Sequence, residues 1–158
     1  MATVLRPLKF AVTHVVDAPN EVVWGVLGDF GTEHRWTRTV SDCTRDTVEV
    51  RVGTVRYCQL PRPLMGRTAA RETVTEFEQG RALAYSLEGP AGPFAFASSR
   101  WSTTPSSNHA TAVTVEGRFA PKNAAVRALV WPFAKPMLRR FTKRVLLELE
   151  AFVTPGGK

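Results

Sequence analysis

Met137–Val153 reads MLRRFTKRVLLELEAFV, with no glycine or proline inside it. Leu138, Phe141, Val145, Leu149 and Phe152 recur at spacings of three and four. That spacing predicts a helix of roughly 25 Å with one apolar stripe, at about 1.5 Å per residue. Arg139, Arg140, Lys143 and Arg144 take the opposite side. Pro136 suits the first turn of this helix. A shorter helical piece over Asn123–Val130 is expected before it, with a kink at Pro132.

Upstream of this helix the texture is β. Strands are predicted over Ser41–Arg45, Thr54–Leu60, Thr68–Phe77, Ala82–Leu87, Phe94–Thr104 and Ala110–Phe119. Arg51-Val52-Gly53, Pro61-Arg62-Pro63, Gln79-Gly80, Gly89–Pro93 and Pro105–Asn108 mark the turns. Short connections favour antiparallel neighbours. Leu8–Val16 alternates as a strand, Asn20 caps a short helix to Leu27, and a second short helix or turn runs through Glu33–Trp36. The expected architecture is α+β. A curved seven-stranded antiparallel sheet surrounds one long C-terminal helix, with two short helices after the first strand, in a single domain over residues 1–158. A curved sheet gripping one helix leaves room between them, so a ligand container is expected.

Composition narrows the class of partner. The chain has 158 residues, 44% hydrophobic and 22% charged, which suits a folded domain. Its net charge is +7, from 21 basic and 14 acidic residues. Eight of the basic residues and no acid fall between Arg118 and Arg144, so the remainder is nearly neutral. A charge excess confined to one segment, with no aromatic stacking motif between the arginines, argues against nucleic acid. It leaves peripheral contact with an anionic membrane, or a solvated helix face, as the uses of that segment. No apolar run reaches the length of a membrane span, and the N-terminus lacks a signal-like core. Cys43 and Cys58 are too few for a disulfide scaffold. A reducing cytoplasm is expected, with both thiols in or near the core.

Several pieces, in order, carry a family likeness. They are Ala18-Pro19-Asn20-Glu21-Val22-Val23-Trp24, His34-Arg35-Trp36, Val52-Gly53-Thr54-Val55-Arg56, Arg71-Glu72-Thr73-Val74 with Gly80–Tyr85, and the Leu-rich terminal helix. In these the chain resembles the START-like (SRPBCC) helix-grip superfamily of polyketide cyclase/dehydrase and lipid-transport type. Over Val52–Thr104 it is also similar to the plant abscisic-acid receptor branch. That resemblance implies pocket-facing positions for Cys58, Leu60, Glu72, Tyr85 and Glu116. Ser41 stands where the receptors carry a lysine for the hormone carboxylate. Pro61–Gly66 and Gly89–Pro93 replace the gate and latch loops. Hormone binding is therefore not expected, while a cavity with a loop at its mouth is.

The site expectations follow from strand faces and from this likeness. Glu72 shares a face with Ala70 and Val74. A carboxylate in an apolar cavity would serve as acid or base. Alternation turns Glu116 outward, against the resemblance. Arg56, Arg71 and Arg100 lie on strands and suit an acidic or enolate oxygen, with Arg56 favoured by the likeness. Tyr85 lies on the face of Leu83 and Leu87 and needs a hydrogen-bond partner if buried. Trp36 and Trp101 line or seal the cavity, and Leu138, Phe141 and Val145 line it from the helix. His14 is expected as a lone core histidine. No metal-ligand spacing and no cofactor motif is present, and no serine or cysteine has a recognisable base partner. The leading expectation is binding of a hydrophobic or amphipathic small molecule (lipid, polyketide or isoprenoid) by a monomer or homodimer. The alternatives are a polyketide cyclase/dehydrase-like enzyme using Glu72, Tyr85 and Arg56, and a membrane-associated carrier.

Overall fold

Strict alternation lays down the first strand. In β1 (Leu8–Val16), Leu8, Phe10, Val12 and Val16 are buried, His14 shares their face half-buried, and Lys9, Ala11, Thr13 and Val15 face outward. The computed structural model describes residues 5–64, 66–154 and 156. α1 (Asn20–Leu27) and a 3₁₀ turn, Glu33–Arg35, follow β1. Next come β2 (Asp42–Arg45), β3 (Val55–Leu64), β4 (Arg67–Glu78), β5 (Ala82–Leu87), β6 (Phe94–Pro105) and β7 (Thr111–Pro121). They form one sheet in the order β1-β7-β6-β5-β4-β3-β2, antiparallel throughout. β2 to β7 are a meander, and the segment holding α1 carries the chain from one sheet edge to the other. α2 (Trp131–Val153) packs across the inner face, giving the helix-grip α+β fold.

Four expectations about elements need correction. The turn read at Pro61-Arg62-Pro63 is strand: β3 runs on to Leu64. No ladder pair lies between Gln59↔Ala69 and Leu64↔Arg67, so the two prolines occupy positions where no N–H is required. Met65 of this loop lies outside the described residues. Pro136 does not start the helix; it sits inside α2, on an exposed face, while Pro132 takes the first turn. The expected break is instead a π-helical turn, Val126–Val130, whose wider spacing accommodates the Pro132 ring before α2 continues. The buried face of α2 is also rotated from the predicted stripe. Ala134, Thr142, Val145, Leu146 and Leu149 face the sheet, whereas Phe141 and Phe152 are exposed at its rim.

Packing is uneven along the groove between sheet and helix. Toward the start of α2, Phe94, Phe119 and Trp131 form a cluster with ring centroids 5.0–6.2 Å apart, and Phe10 stacks on Phe119. A side chain at Gly117, opposite Phe10 in register, would collide with the Phe10 ring, so glycine is required there. This end is solid. A second cluster of Trp24, Phe30, Val74 and Leu83 fills the space under the crossover. The bulge between Val74 and Glu76 lets β4 bury Phe77 while turning Glu76 outward to Arg100.

The cysteines are buried, as expected, but they are not free thiols. Cys43 and Cys58 are directly paired across β2 and β3 with Cα atoms 4.2 Å apart, and they form a disulfide. Their separation of 15 residues says nothing about this. The hairpin register brings them together. The expectation of a reducing compartment rested on free thiols and loses that basis. Closing a loop of this size is worth about 3 kcal/mol in the chain-entropy picture. The double variant Cys43→Ala/Cys58→Ala should therefore unfold in urea with stability lower by about 2–3 kcal/mol. The wild type should show the same loss in dithiothreitol. Identical midpoints in reducing and non-reducing urea would show that the bond does not form in solution.

Candidate functional site

Alternation in β3 turns Arg56 and Cys58 inward and Tyr57 outward. Arg56 is 6% exposed, and it does not stay buried alone. Its Nε donates to Glu72 on the neighbouring β4 at 2.6 Å, and its Nη1 pairs with Glu33 of the 3₁₀ turn. Its guanidinium also lies over the rings of Phe30 and Tyr85, at 4.1 and 4.4 Å from their centroids. Burial works to lower the Arg56 pKa; Glu72 and Glu33 outweigh it and hold the value above the ordinary one. Glu33 is fixed in turn by the Gly31 N–H at 2.9 Å.

Beside this cluster, between sheet and α2, lies a cavity of about 110 Å³. Leu27 and Val145 supply apolar wall, and Trp36 meets Trp101 edge to face at 6.3 Å. Two polar groups face it. The Trp101 Nε1–H is buried without an acceptor. The Tyr85 hydroxyl lies beside that indole, close enough for the N–H to favour the ionised phenol. Burial pushes the Tyr85 phenol above its usual pKa, against the opposing pull of Arg56. The cavity thus presents two proton donors and no free carboxylate.

Thr39 and Phe141 are shared with an outer groove of about 390 Å³, which is bordered by Leu60–Leu64 on one side and Arg144 on the other. Phe141 stands between the inner cavity and this groove. It takes this place because it lies at the rim of the helix stripe and not in the core.

The structure gathers Trp36, Arg56, Tyr85, Trp101, Phe141 and Val145 around one cavity. Leu60 borders the outer groove. Glu72 lies behind Arg56 and does not line the cavity, and Cys58 is committed to the disulfide. Leu138 packs against the main core instead. Glu116 is a correction to the resemblance: it is on the outer face, 3.5 Å from Arg100, as its alternation in β7 dictates. Arg100 and Arg71 are also outside, paired with Glu76 and Glu88. His14 is not a lone core histidine. It bridges to α2, with Nε2 2.6 Å from Glu150 and Nδ1 2.7 Å from Lys143. Glu33, Phe30 and Thr37 were not anticipated, because nothing in a turn sequence shows which strand it will cover. Glu33, Cys43 and Cys58 place ligand atoms within 4.8 Å of one another, but the sulfurs are bonded together and Arg56 holds the carboxylate.

Residues 7–153 match the family described as polyketide cyclase / dehydrase and lipid transport. The chain belongs to this family. Its fold is shared with a Bacillus thuringiensis protein at 17% identity and a TM-score of 0.73, covering 92% of this chain and 98% of that one. A Thermobifida fusca protein at 20% identity has a TM-score of 0.71 and covers 92% of each chain. The ZhuI aromatase/cyclase from Streptomyces sp. R1128, at 18% identity, has a TM-score of 0.68 and covers 93% of each. Comparison with curated proteins finds no match. Among the described residues no helix is long and apolar enough to cross a membrane. Family membership and these likenesses establish the helix-grip fold.

Two measurements check the site electrostatics. Arg56→Met leaves Glu33 and Glu72 buried without their cation, and breaking a buried pair in this way costs on the order of 3–5 kcal/mol. Removing the two charges as well, in Arg56→Met/Glu33→Gln/Glu72→Gln, should recover part of that loss in urea unfolding; no recovery would contradict the pairing. In a Tyr57→Phe background, the tyrosinate absorbance of Tyr85 should rise only well above pH 10, the ordinary phenol value. With the folded pKa raised, the unfolded chain loses this proton first. The Tyr85 contribution to stability is then full below pH 10 and declines as pH rises further.

Proposed function

We propose that this protein binds a hydrophobic or amphipathic small molecule bearing a hydrogen-bond acceptor, held between the sheet and α2. The observation that carries this is the unpartnered Trp101 Nε1–H beside the Tyr85 hydroxyl in an otherwise apolar cavity. Buried donors are normally satisfied, and a ligand oxygen placed between the two would satisfy both. A cavity of about 110 Å³ holds only a ring or a head group. A lipid, polyketide or isoprenoid chain would therefore place its acceptor end inside and run past Phe141 into the outer groove.

The enzymatic alternative, a cyclase/dehydrase-like reaction drawing on Glu72, Tyr85 and Arg56, has less support. Both carboxylates near the cavity are engaged by Arg56, so neither is available as a base. Tyr85 alone is suited to a catalytic part, donating a proton to a developing oxyanion. ZhuI is an aromatase/cyclase, and at its level of identity only the fold carries over.

Native mass spectrometry of the purified protein should show a co-purifying apolar ligand, and the protein should take up a fluorescent fatty acid. Trp101→Phe should weaken fatty-acid binding by roughly five- to tenfold, the worth of one hydrogen bond. Phe141→Trp should block entry more severely. If the protein takes up no fatty acid, aromatic ketone or isoprenoid alcohol, the binding function fails. If Tyr85→Phe abolishes turnover of a poly-β-ketone thioester, the enzymatic reading takes its place.

A further inference from the structure

The first half of α2 and the π turn before it carry large apolar side chains exposed to solvent. Phe133 is 80% exposed and Leu129 69%, and Met137 and Phe141 are also exposed. These four recur every fourth residue, so they lie along one side of the helical segment. The predicted stripe accounts for Phe141 alone, and the core uses the adjoining face, through Ala134, Thr142 and Val145. A shallow groove joins Phe133, Met137 and Phe141 to Arg140 and Arg144, and Phe141 and Arg144 in turn border the outer groove at the cavity mouth. Apolar strip and cavity mouth are one continuous surface.

The charge around this strip is of one sign. Lys122, Arg127, Lys135, Arg139, Arg140, Lys143 and Arg144 are all exposed. Among the described residues none of them lies within ion-pairing distance of a carboxylate. Arginines and lysines around protruding phenylalanine and leucine match a surface that is anionic outside and apolar just beneath. The cations meet phosphates while the apolar side chains pass the head groups. An acidic protein partner would satisfy the charges, but it offers no ready place for a side chain as exposed as Phe133.

We propose that this face docks reversibly on an anionic phospholipid bilayer, with Leu129, Phe133 and Met137 entering the head-group layer and Arg140 and Arg144 contacting phosphates. The docking stands on these side chains alone. Its purpose, loading or unloading an apolar ligand past Phe141 without exposure to water, rests on the ligand-binding function proposed above.

The test is co-sedimentation of the full chain with vesicles of phosphatidylcholine alone and with about a third phosphatidylglycerol, at low and high salt, since exposed charges are screened within about a Debye length. Binding should be at least tenfold stronger to the anionic vesicles at low salt and should weaken at high salt. Phe133→Ser and the pair Arg140→Glu/Arg144→Glu should each reduce it at least fivefold. All these positions are exposed, so circular dichroism and melting should be unchanged, and fatty-acid uptake by Phe133→Ser in vesicle-free solution should match wild type. That last readout separates failure of docking from failure of ligand binding. Absence of binding to anionic vesicles at low salt would overturn the proposal. So would binding that Phe133→Ser leaves intact, which reduces it to non-specific charge. A dimer in light scattering that Phe133→Ser dissociates would assign the strip to a second copy of the chain instead.

Discussion

A guanidinium cannot be buried without anions and hydrogen-bond acceptors around it, and Arg56 draws its neighbours from four other segments. Phe30 comes from the loop after α1, Glu33 from the 3₁₀ turn, Glu72 from β4 and Tyr85 from β5. A buried ion pair adds little net stability over a well-packed apolar replacement, while removing one partner is costly. Its value here is positional. The segment between α1 and β2 crosses from one sheet edge to the other with little regular structure of its own. Glu33 ties this segment to the inner face of the sheet, as Asp29 with Arg45 ties it at the edge. Trp36 follows three residues later and forms the cavity wall against Trp101. The shape of the ligand space therefore depends on a charge pair just outside its apolar walls.

The same cluster explains why the cavity is donor-rich. Both nearby carboxylates are spent on Arg56, which leaves Tyr85 and Trp101 as the groups facing open space. Elsewhere the groove is closed by aromatic packing around Phe94, Phe119 and Trp131, so the empty volume is confined to the part nearer the middle of α2. The proposed oxygen-bearing ligand would complete this arrangement. A pure hydrocarbon would leave the indole N–H unsatisfied.

Period-two and period-three-to-four patterns made the strands and the long helix legible in the sequence, and strand alternation put Tyr85 on the inner face and Glu116 on the outer one, while Arg56 was singled out by family likeness alone. Three things escaped it. The disulfide depends on hairpin register, which the spacing of Cys43 and Cys58 does not contain. The rotation of the α2 stripe escaped because both Phe141 and Leu146 fit a helical period, and only the position of the sheet decides between them. Glu33 escaped because a tertiary ion pair between a turn and a strand has no local pattern. For Glu116, alternation was the sounder guide than family likeness. Backbone pleat is enforced residue by residue, whereas correspondence between distant sequences slips by one position easily, and one position reverses the face.

Charge divides the molecule in a way that total composition conceals. Within the sheet and its crossover, acids and bases largely neutralise one another: Asp29 with Arg45, Glu33 and Glu72 with Arg56, Glu76 and Glu116 with Arg100, Glu88 with Arg71. The segment from Lys122 to Arg144 has no acid of its own, and its cations meet backbone carbonyls, a histidine or solvent. Self-repulsion among seven exposed cations opposes folding slightly and gives nothing back inside the chain. Leaving Phe133 and Leu129 in water on the same segment is a second cost of the same kind. Both costs vanish against one type of surface, anionic at its boundary and apolar beneath it, and the cavity mouth opens on that side.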